Sequence, residues 1–402
     1  MHLLSILPTL GLLIAAALWV WLALNPAHRQ AFRVMVSSDR RADGTDLPPV
    51  AIIVAARNEA LMLPQTIPTL CRQSSALVRV ILVDDQSEDE SLAILETLCE
   101  QFANLQVIAG QPRPPAWMGK PWAVQQGSQA VASGAGEQWL LFTDADCEFH
   151  PLAVAIAQRW MVEKKLDVLT LLPRPICQGP WEQLGVAALG TMLLLLFPIG
   201  WCNNPRRSIA VGAGPFILAR RAVYDAIGGH AAVANCIVED INLVRRLKAS
   251  GARVAVHLTD DLVTTRMYDG LADLWEGLTK NAYAGMEYQP RKFWVGQIVS
   301  LLLGVLPPIY LLMAIVSRHW LDAVLAAVVC AAMVIIHYRT IRWMRLPAWH
   351  ALLLPASVAF YMVICAASFV QHHLGGGNVW KGRRYAPSML QADTVVSGLS
   401  SK

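Results

Sequence analysis

Residues 3–24 run for 22 positions without an ionisable side chain, and this apolar block constrains the chain more than any motif in it. At about 1.5 Å of rise per helical residue, it reaches across a hydrocarbon layer of about 30 Å. A secretory leader would open on a basic region and carry a shorter apolar core, whereas only Met1 and His2 precede this one. Residues 1–25 therefore read as an N-terminal transmembrane anchor. His28, Arg29, Arg33, Arg40 and Arg41 follow it, which by the positive-inside rule puts the chain from residue 25 onward in the cytoplasm.

Two more charge-free blocks, 295–316 and 351–370, and a shorter one at 323–336 make 293–372 a set of C-terminal membrane helices, followed by a tail at 373–402. The basic connection HYRTIRWMR (337–345) favours the cytoplasm. Three full spans would leave the tail sequence NVWKGRRY (378–385) outside, against its own charge. Block 295–316 is therefore expected to bend back or lie in the interface, because Pro307 and Pro308 each remove a helix hydrogen bond. Only 15% of the residues are charged, against about 25% in an average soluble domain, which argues against a disordered chain or an ordinary soluble enzyme. A net charge of +4 gives no reason to invoke nucleic acid. Eight cysteines without a C-x-x-C pair indicate neither a zinc site nor a disulfide framework, and reduced thiols are expected.

Between residue 48 and about 260 the pattern changes to alternating strand and helix. VAIIVAA (50–56), VRVILVD (78–84), LQVIA (105–109), WLLFTDA (139–145), LDVLTLL (166–172) and ARVAVH (252–257) read as strands, with helical stretches such as 87–102 and 240–250 between them. That alternation implies an α/β domain, 48–292, built on a mainly parallel sheet covered on both faces. Ligands of such sheets bind beyond the carboxyl ends of the strands, where ARNEA, DDQSEDES and DADCE stand. Neither a dinucleotide fingerprint nor a P-loop occurs, so no glycine cradle handles phosphate.

Asp144 and Asp146 flank one small residue at a strand end. In an extended chain both carboxylates point the same way and can approach one hard cation, which would neutralise a nucleoside diphosphate as it leaves. A lone D-x-D equally suits a solvated turn. Asp84-Asp85 ends another strand, and an acceptor there can hold the N3–H of a uracil; the same stretch also suits an N-cap at Ser87 with Glu90 in the first turn. Glu239-Asp240 opens a helix, where a carboxylate either deprotonates an incoming hydroxyl or serves helix-start electrostatics.

Taken in order, VAARNEA, VDDQSEDES, TDADC and VEDINLVRRLKASG resemble the family 2 glycosyltransferases with the GT-A fold, over about residues 48–285. TRMYDGLADLWEGLTKN (265–281) and VWKGRRY (379–385) look like the hopene-associated glycosyltransferases, which are related to the ceramide glucosyltransferases. The resemblance implies that Ala55, Arg57, Asn58 and Glu59 shape the nucleotide pocket and that Asp85, beside Asp84, contacts uracil. It also implies that Asp144 and Asp146 bind a divalent metal (Mg²⁺ or Mn²⁺) and the donor diphosphate. Asp240, with Glu239, matches the base for inverting displacement, Lys120 a lysine near the donor, and Gly212 and Gly214 a loop that passes the sugar. Lys120 reads equally well as an exposed lysine. The Q/R-x-x-R-W sequence of processive relatives is missing, which speaks against polymer synthesis. Arg266, Tyr268, Trp275, Lys280 and Asn281 stand in that part of the chain, either on the diphosphate and acceptor or as a basic face on lipid headgroups.

Asp146 and Asp240 must meet at one sugar, yet the apolar block 184–201 lies between them. It is expected not to cross but to lie at the membrane interface, with Arg206 and Arg207 at the headgroups, or else to be a buried core helix. The expectation is thus a multi-pass protein of the inner (cytoplasmic) membrane whose catalytic domain faces the cytoplasm. It would move a sugar from a nucleotide donor, a UDP-sugar, to a membrane lipid hydroxyl, which the resemblance implies is hopanoid-related. The rivals are a polyprenyl-phosphate acceptor, a transporter or sensor with a nucleotide-binding domain, and a scaffold without chemistry.

Overall fold

A computed structural model describes residues 2–30, 34–37, 47–75, 77–132, 138–375, 377–380 and 383–385. Arg33, Arg40, Arg41, Lys381 and Gly382, which bear on the charge argument and the tail motif, lie outside the described residues. The chain divides into two units. One comprises Arg33–Ile176, Trp201–Met267 and Lys381–Lys402; the other comprises Met1–Phe32, Cys177–Gly200 and Tyr268–Trp380.

In the first unit the apolar runs become β1 (Val50–Ala56), β2 (Val78–Asp84), β3 (Leu105–Ala109), β4 (Trp139–Asp144), β5 (Cys147–Phe149), β6 (Val168–Leu172), β7 (Arg174–Pro175), β8 (Ile217–Arg220), β9 (Val254–Leu258) and β10 (Val263–Thr265). Seven of them form one sheet in the order β3-β2-β1-β4-β8-β6-β9. β8 runs antiparallel to both neighbours, and the other pairings are parallel. Alternate side chains of β1 point to opposite faces, so Ile52 and Val54 join one core and Ala51 and Ile53 the other. Helices Leu63–Cys71, Ser91–Gln101 and Ala153–Glu163 cover the first face; Gly119–Ala132 and Glu239–Ala249 cover the second.

A second sheet, β5-β10-β7, starts directly after Asp146. The D-x-D is therefore not extended: Ala145 and Asp146 form a tight turn between β4 and β5, pinned where the Thr66 hydroxyl donates to the Ala145 carbonyl at 2.6 Å. The helix expected from residue 87 begins at Ser91. Ser87 is not its cap; the Ser87 N–H donates to Asp84 Oδ2 at 3.2 Å.

The second unit is helical. Pro290–Val316 (27 residues), Trp320–Trp343 (24) and Ala348–Leu374 (27) are each long and apolar enough to cross a membrane. Thr9–Leu24 and Pro180–Leu196 are shorter apolar helices. Ala15, Ala16, Trp19 and Ala23 pack against Val329, Ala332, Met333 and Ile336, small residues letting the two helices approach closely.

The expectation that 295–316 bends back is corrected, because the helix continues through both prolines by way of a π turn at Leu301–Val305. Pro307 has no N–H for the carbonyl four residues earlier. The indole N–H of Trp19 donates to that carbonyl, Leu303 O, at 3.1 Å. The 323–336 block likewise extends into a helix of full spanning length.

Helix Pro180–Leu196 has 17 residues, about 26 Å by helical rise and short of the hydrocarbon thickness. It is packed within its unit. Leu274 and Phe360 close on Gly185, and the Thr191 hydroxyl lies 2.8 Å from His337 Nδ1.

Candidate active site

The register of three parallel strands sets the frame. Ala55 pairs with Val83 on one side and Asp144 on the other, and Ala56 pairs with Asp84. The carboxyl ends of β2, β1 and β4 thus lie level, and the two acidic ends stand two strand spacings apart, about 10 Å. A nucleoside diphosphate spans that distance.

At the β2 end, Asp85 donates its N–H to Ala56 O at 2.8 Å. Gly110 donates to Asp84 O at 2.8 Å, and a Cβ on Gly110 would meet that oxygen at 2.6 Å, which is why a glycine stands there. Arg57, 7% exposed, reaches from the end of β1, donating to Asp85 O at 2.8 Å and to Gln86 O, and pairs with Glu88 at 2.7 Å. Asn58 accepts from the Glu88 N–H at 2.8 Å, its own N–H donates to Ser87 Oγ at 3.0 Å, and the Glu59 N–H donates to Ser91 Oγ at 2.9 Å. The first motif shapes this end by stapling two loops together.

Asp84 and Asp85 are 5% and 3% exposed, and Oδ1 of each finds no hydrogen-bond partner among the described residues. Burial pushes the Asp85 carboxyl up, with Arg383 and Arg57 pulling against it. Arg383, which the sequence reading assigned no role, donates from Nη1 to Asp85 Oδ2 at 2.5 Å. The signal that could have found it is its place in the tail motif VWKGRRY.

At the β4 end, Lys120 sits in the first turn of helix Gly119–Ala132 and bridges two acids. Its Nζ lies 2.5 Å from Asp144 Oδ1 and 2.7 Å from Glu239 Oε1. Lys120 is therefore no free surface lysine. Burial works against its charge, but Asp144, Glu239 and Asp240 together outweigh that and hold the ammonium well above the usual lysine range.

Asp240, in the first turn of helix Glu239–Ala249, accepts from the Gly214 N–H at 3.0 Å and the Ile241 N–H at 2.7 Å. Burial and the neighbouring Glu239 push its carboxyl up to about 6, against the pull of Lys120. The glycine-rich loop is glycine by contact. A Cβ on Gly214 would stand 2.8 Å from Asp144 Oδ2 and 2.8 Å from Lys120 Nζ, and one on Gly212 would run into the Asp240 carbonyl. Thr170, whose hydroxyl accepts from the Ala213 N–H at 3.0 Å, holds this loop and was not foreseen.

Asp146 is pushed up to about 7 by burial, Asp144 and Glu59. No group of three or more His, Cys, Asp or Glu side chains arranged for a metal occurs among the described residues. The crowding on Asp146 is still the kind a cation relieves. Arg266 belongs to the α/β unit, whereas Tyr268, Trp275, Lys280 and Asn281 belong to the helical unit, the last three on helix Gly270–Ala282. The Tyr268 ring packs on Gly277, where a Cβ would collide with it.

The sequence profile of glycosyl transferase family 2 matches residues 51–228. The chain is 26% identical over 261 residues to 4,4'-diaponeurosporenoate glycosyltransferase of Staphylococcus haemolyticus (strain JCSC1435), covering 63% of this chain and 66% of the relative. It is 24% identical over 350 residues to the protein of that name from Staphylococcus aureus (strain MRSA252), covering 85% and 89% respectively. A mannosyltransferase from Pyrobaculum calidifontis, solved in complex with GDP-Man and Mn²⁺, superposes with a TM-score of 0.52 at 16% identity, over 92% of this chain and 98% of that one. The profile thus covers the strand ends at which Asp84, Asp85, Asp144 and Asp146 stand: residues 51–228 form a domain that matches glycosyl transferase family 2, the relatives are themselves glycosyltransferases, and the fold is the GT-A fold shared with that mannosyltransferase.

Proposed function

We propose that the enzyme transfers a sugar from a nucleoside diphosphate donor, a UDP-sugar, to a lipid-like acceptor at the cytoplasmic face of a membrane, in one inverting displacement. The observation that carries this reading is Lys120, which draws Asp144 of the strand-end motif and Glu239 of the helix-start motif to one point beside Asp240. A donor whose base lies at Asp85 extends toward Asp144, bringing its anomeric carbon to the Asp240 side. Asp240, oriented by two main-chain N–H groups, accepts the proton of the attacking hydroxyl. Lys120 supplies a permanent positive charge near the departing diphosphate.

Asp144 and Asp146 fit a divalent cation, Mg²⁺ or Mn²⁺, as a two-carboxylate site whose other positions go to phosphate oxygens and water. The raised Asp146 carboxyl supports that fit. Such a cation supplies neutralisation of the diphosphate as its bond to the sugar breaks.

The staphylococcal relatives are named for 4,4'-diaponeurosporenoate, and from them we take the lipid-like acceptor. Three helices of spanning length support a multi-pass inner-membrane protein. The chain leaves the α/β unit at Ile176 and returns to it at Trp201, in keeping with a 184–201 block that does not cross. The hopanoid resemblance belongs to the same reading.

Membranes carrying the enzyme, incubated with labelled UDP-sugars and extracted with organic solvent, should yield a labelled lipid. Asp240→Asn should abolish that label while UDP binding persists, and Asp146→Ala should weaken metal-dependent UDP binding. A fully active Asp240→Asn enzyme would mean the acceptor oxygen arrives already ionised, as a phosphate or carboxylate, and would remove the base from the mechanism.

A further inference from the structure

The Arg383–Asp85 contact joins residues 298 positions apart and is built in an unusual way. A guanidinium that merely neutralises a carboxylate binds both oxygens with a parallel fork. Here the fork is split. Nη1 of Arg383 donates to Asp85 Oδ2 at 2.5 Å, while Nη2 donates to the main-chain carbonyl of Asp85 at 3.1 Å and to Gln86 Oε1 at 3.1 Å. Asp85 Oδ1 is left without a partner although the residue is only 3% exposed. A buried carboxylate oxygen in that state is costly unless a ligand donor completes it. Arg57 grips the same two residues from the carboxyl end of the neighbouring strand β1, through the carbonyls of Asp85 and Gln86. Gln86 itself stands at φ 57, left-handed for a residue with a side chain. Two guanidinium groups thus fix this dipeptide, with one acceptor atom free.

We propose that Arg383, delivered by the C-terminal tail, is a positioning residue of the donor site: it holds one oxygen of Asp85 so that the other meets a ring N–H of the donor's base. This rests on the reading of Asp85 as the base-contacting carboxylate. The bases that fit are those with a ring N–H, uracil or guanine. The tail strand Arg383–Tyr385 is then part of the donor pocket, although Arg383 lies 298 positions from Asp85.

The test is calorimetric binding of UDP, GDP, uridine and guanosine to the purified full-length enzyme. Arg383→Gln should weaken the preferred diphosphate and its parent nucleoside by the same factor, about tenfold or more. Asp85→Asn should do likewise, the double variant should bind no worse than Asp85→Asn alone, and Arg383→Lys should fall between. An unchanged melting temperature of Arg383→Gln separates this from a loss of fold. Weaker diphosphate binding with nucleoside binding intact would place Arg383 on the phosphates and overturn the proposal, as would additive losses in the double variant. If Asp85→Asn loses binding and Arg383→Gln does not, the proposal alone falls. If Asp85→Asn binds like the native enzyme, the base reading falls and takes the proposal with it.

Discussion

The indole of Trp19 hydrogen-bonds the carbonyl of Leu303 at 3.1 Å, supplying from the N-terminal helix the donor that Pro307 cannot. In hydrocarbon an orphaned carbonyl has no water to turn to. Trp19→Phe should therefore destabilise the helical unit by about 1–3 kcal/mol. Pro307→Ala restores a local N–H, so in the Trp19→Phe background it should recover most of that loss. Thermal unfolding in detergent measures both, and a double variant no more stable than Trp19→Phe would show that the bond has no such role.

Lys120 keeps Asp144 and Glu239 from facing each other uncompensated. Lys120→Met leaves both carboxylates without their cation, a change worth about 1–3 kcal/mol for a bridge whose lysine and Asp144 are half-buried. Adding Glu239→Gln should return part of the stability without returning sugar transfer. Chemical denaturation and a transfer assay read the two effects separately, and full stability of Lys120→Met would contradict the bridge.

Asp146 and Asp240 both titrate above the ordinary carboxylate range, at about 7 and about 6. An acid whose folded value is raised contributes stability that is full below its unfolded value, near 4, and is lost as pH rises through the folded value. The metal-free enzyme should thus melt lower at pH 8 than at pH 5. Asp146→Asn should flatten that slope, and Mg²⁺ or Mn²⁺ should raise the native melting temperature most at pH 8. Transfer itself should rise with pH through about 6, where Asp240 ionises, then level off. A metal-free melting temperature indifferent to pH in both proteins would refute the assignment.

The strands β1, β2 and β3 match their apolar runs residue for residue; β1 and β2 do so because largely buried parallel strands leave a continuous hydrophobic signature bounded by polar loops, while β3, at the sheet edge and half-exposed, is marked by its short apolar run alone. β8 escaped detection, being four residues that follow a glycine loop, and no local signal announces its antiparallel direction. Asp144 and Asp240 were legible because acids at strand and helix ends stand out from an apolar background, whereas Lys120 came only from the family resemblance and read equally well as an exposed lysine. Arg383 and Trp19 were not, since each acts on a residue hundreds of positions away and only the folded chain brings the two together. The two prolines misled for the same reason: the sequence shows the missing N–H but not the indole that replaces it.

The strand order also fixes the timing of assembly. β8 lies between β4 and β6, yet it is synthesised only after the excursion Cys177–Gly200 that belongs to the helical unit. Until residue 220 has left the ribosome, Val168–Leu172 has neither of its sheet neighbours and presents four apolar side chains and Thr170, all buried in the finished sheet, to its surroundings. A nascent chain stalled between residues 177 and 216 is thus an open half-sheet, the stage at which aggregation competes with folding and at which a chaperone or the insertion machinery has the most to protect.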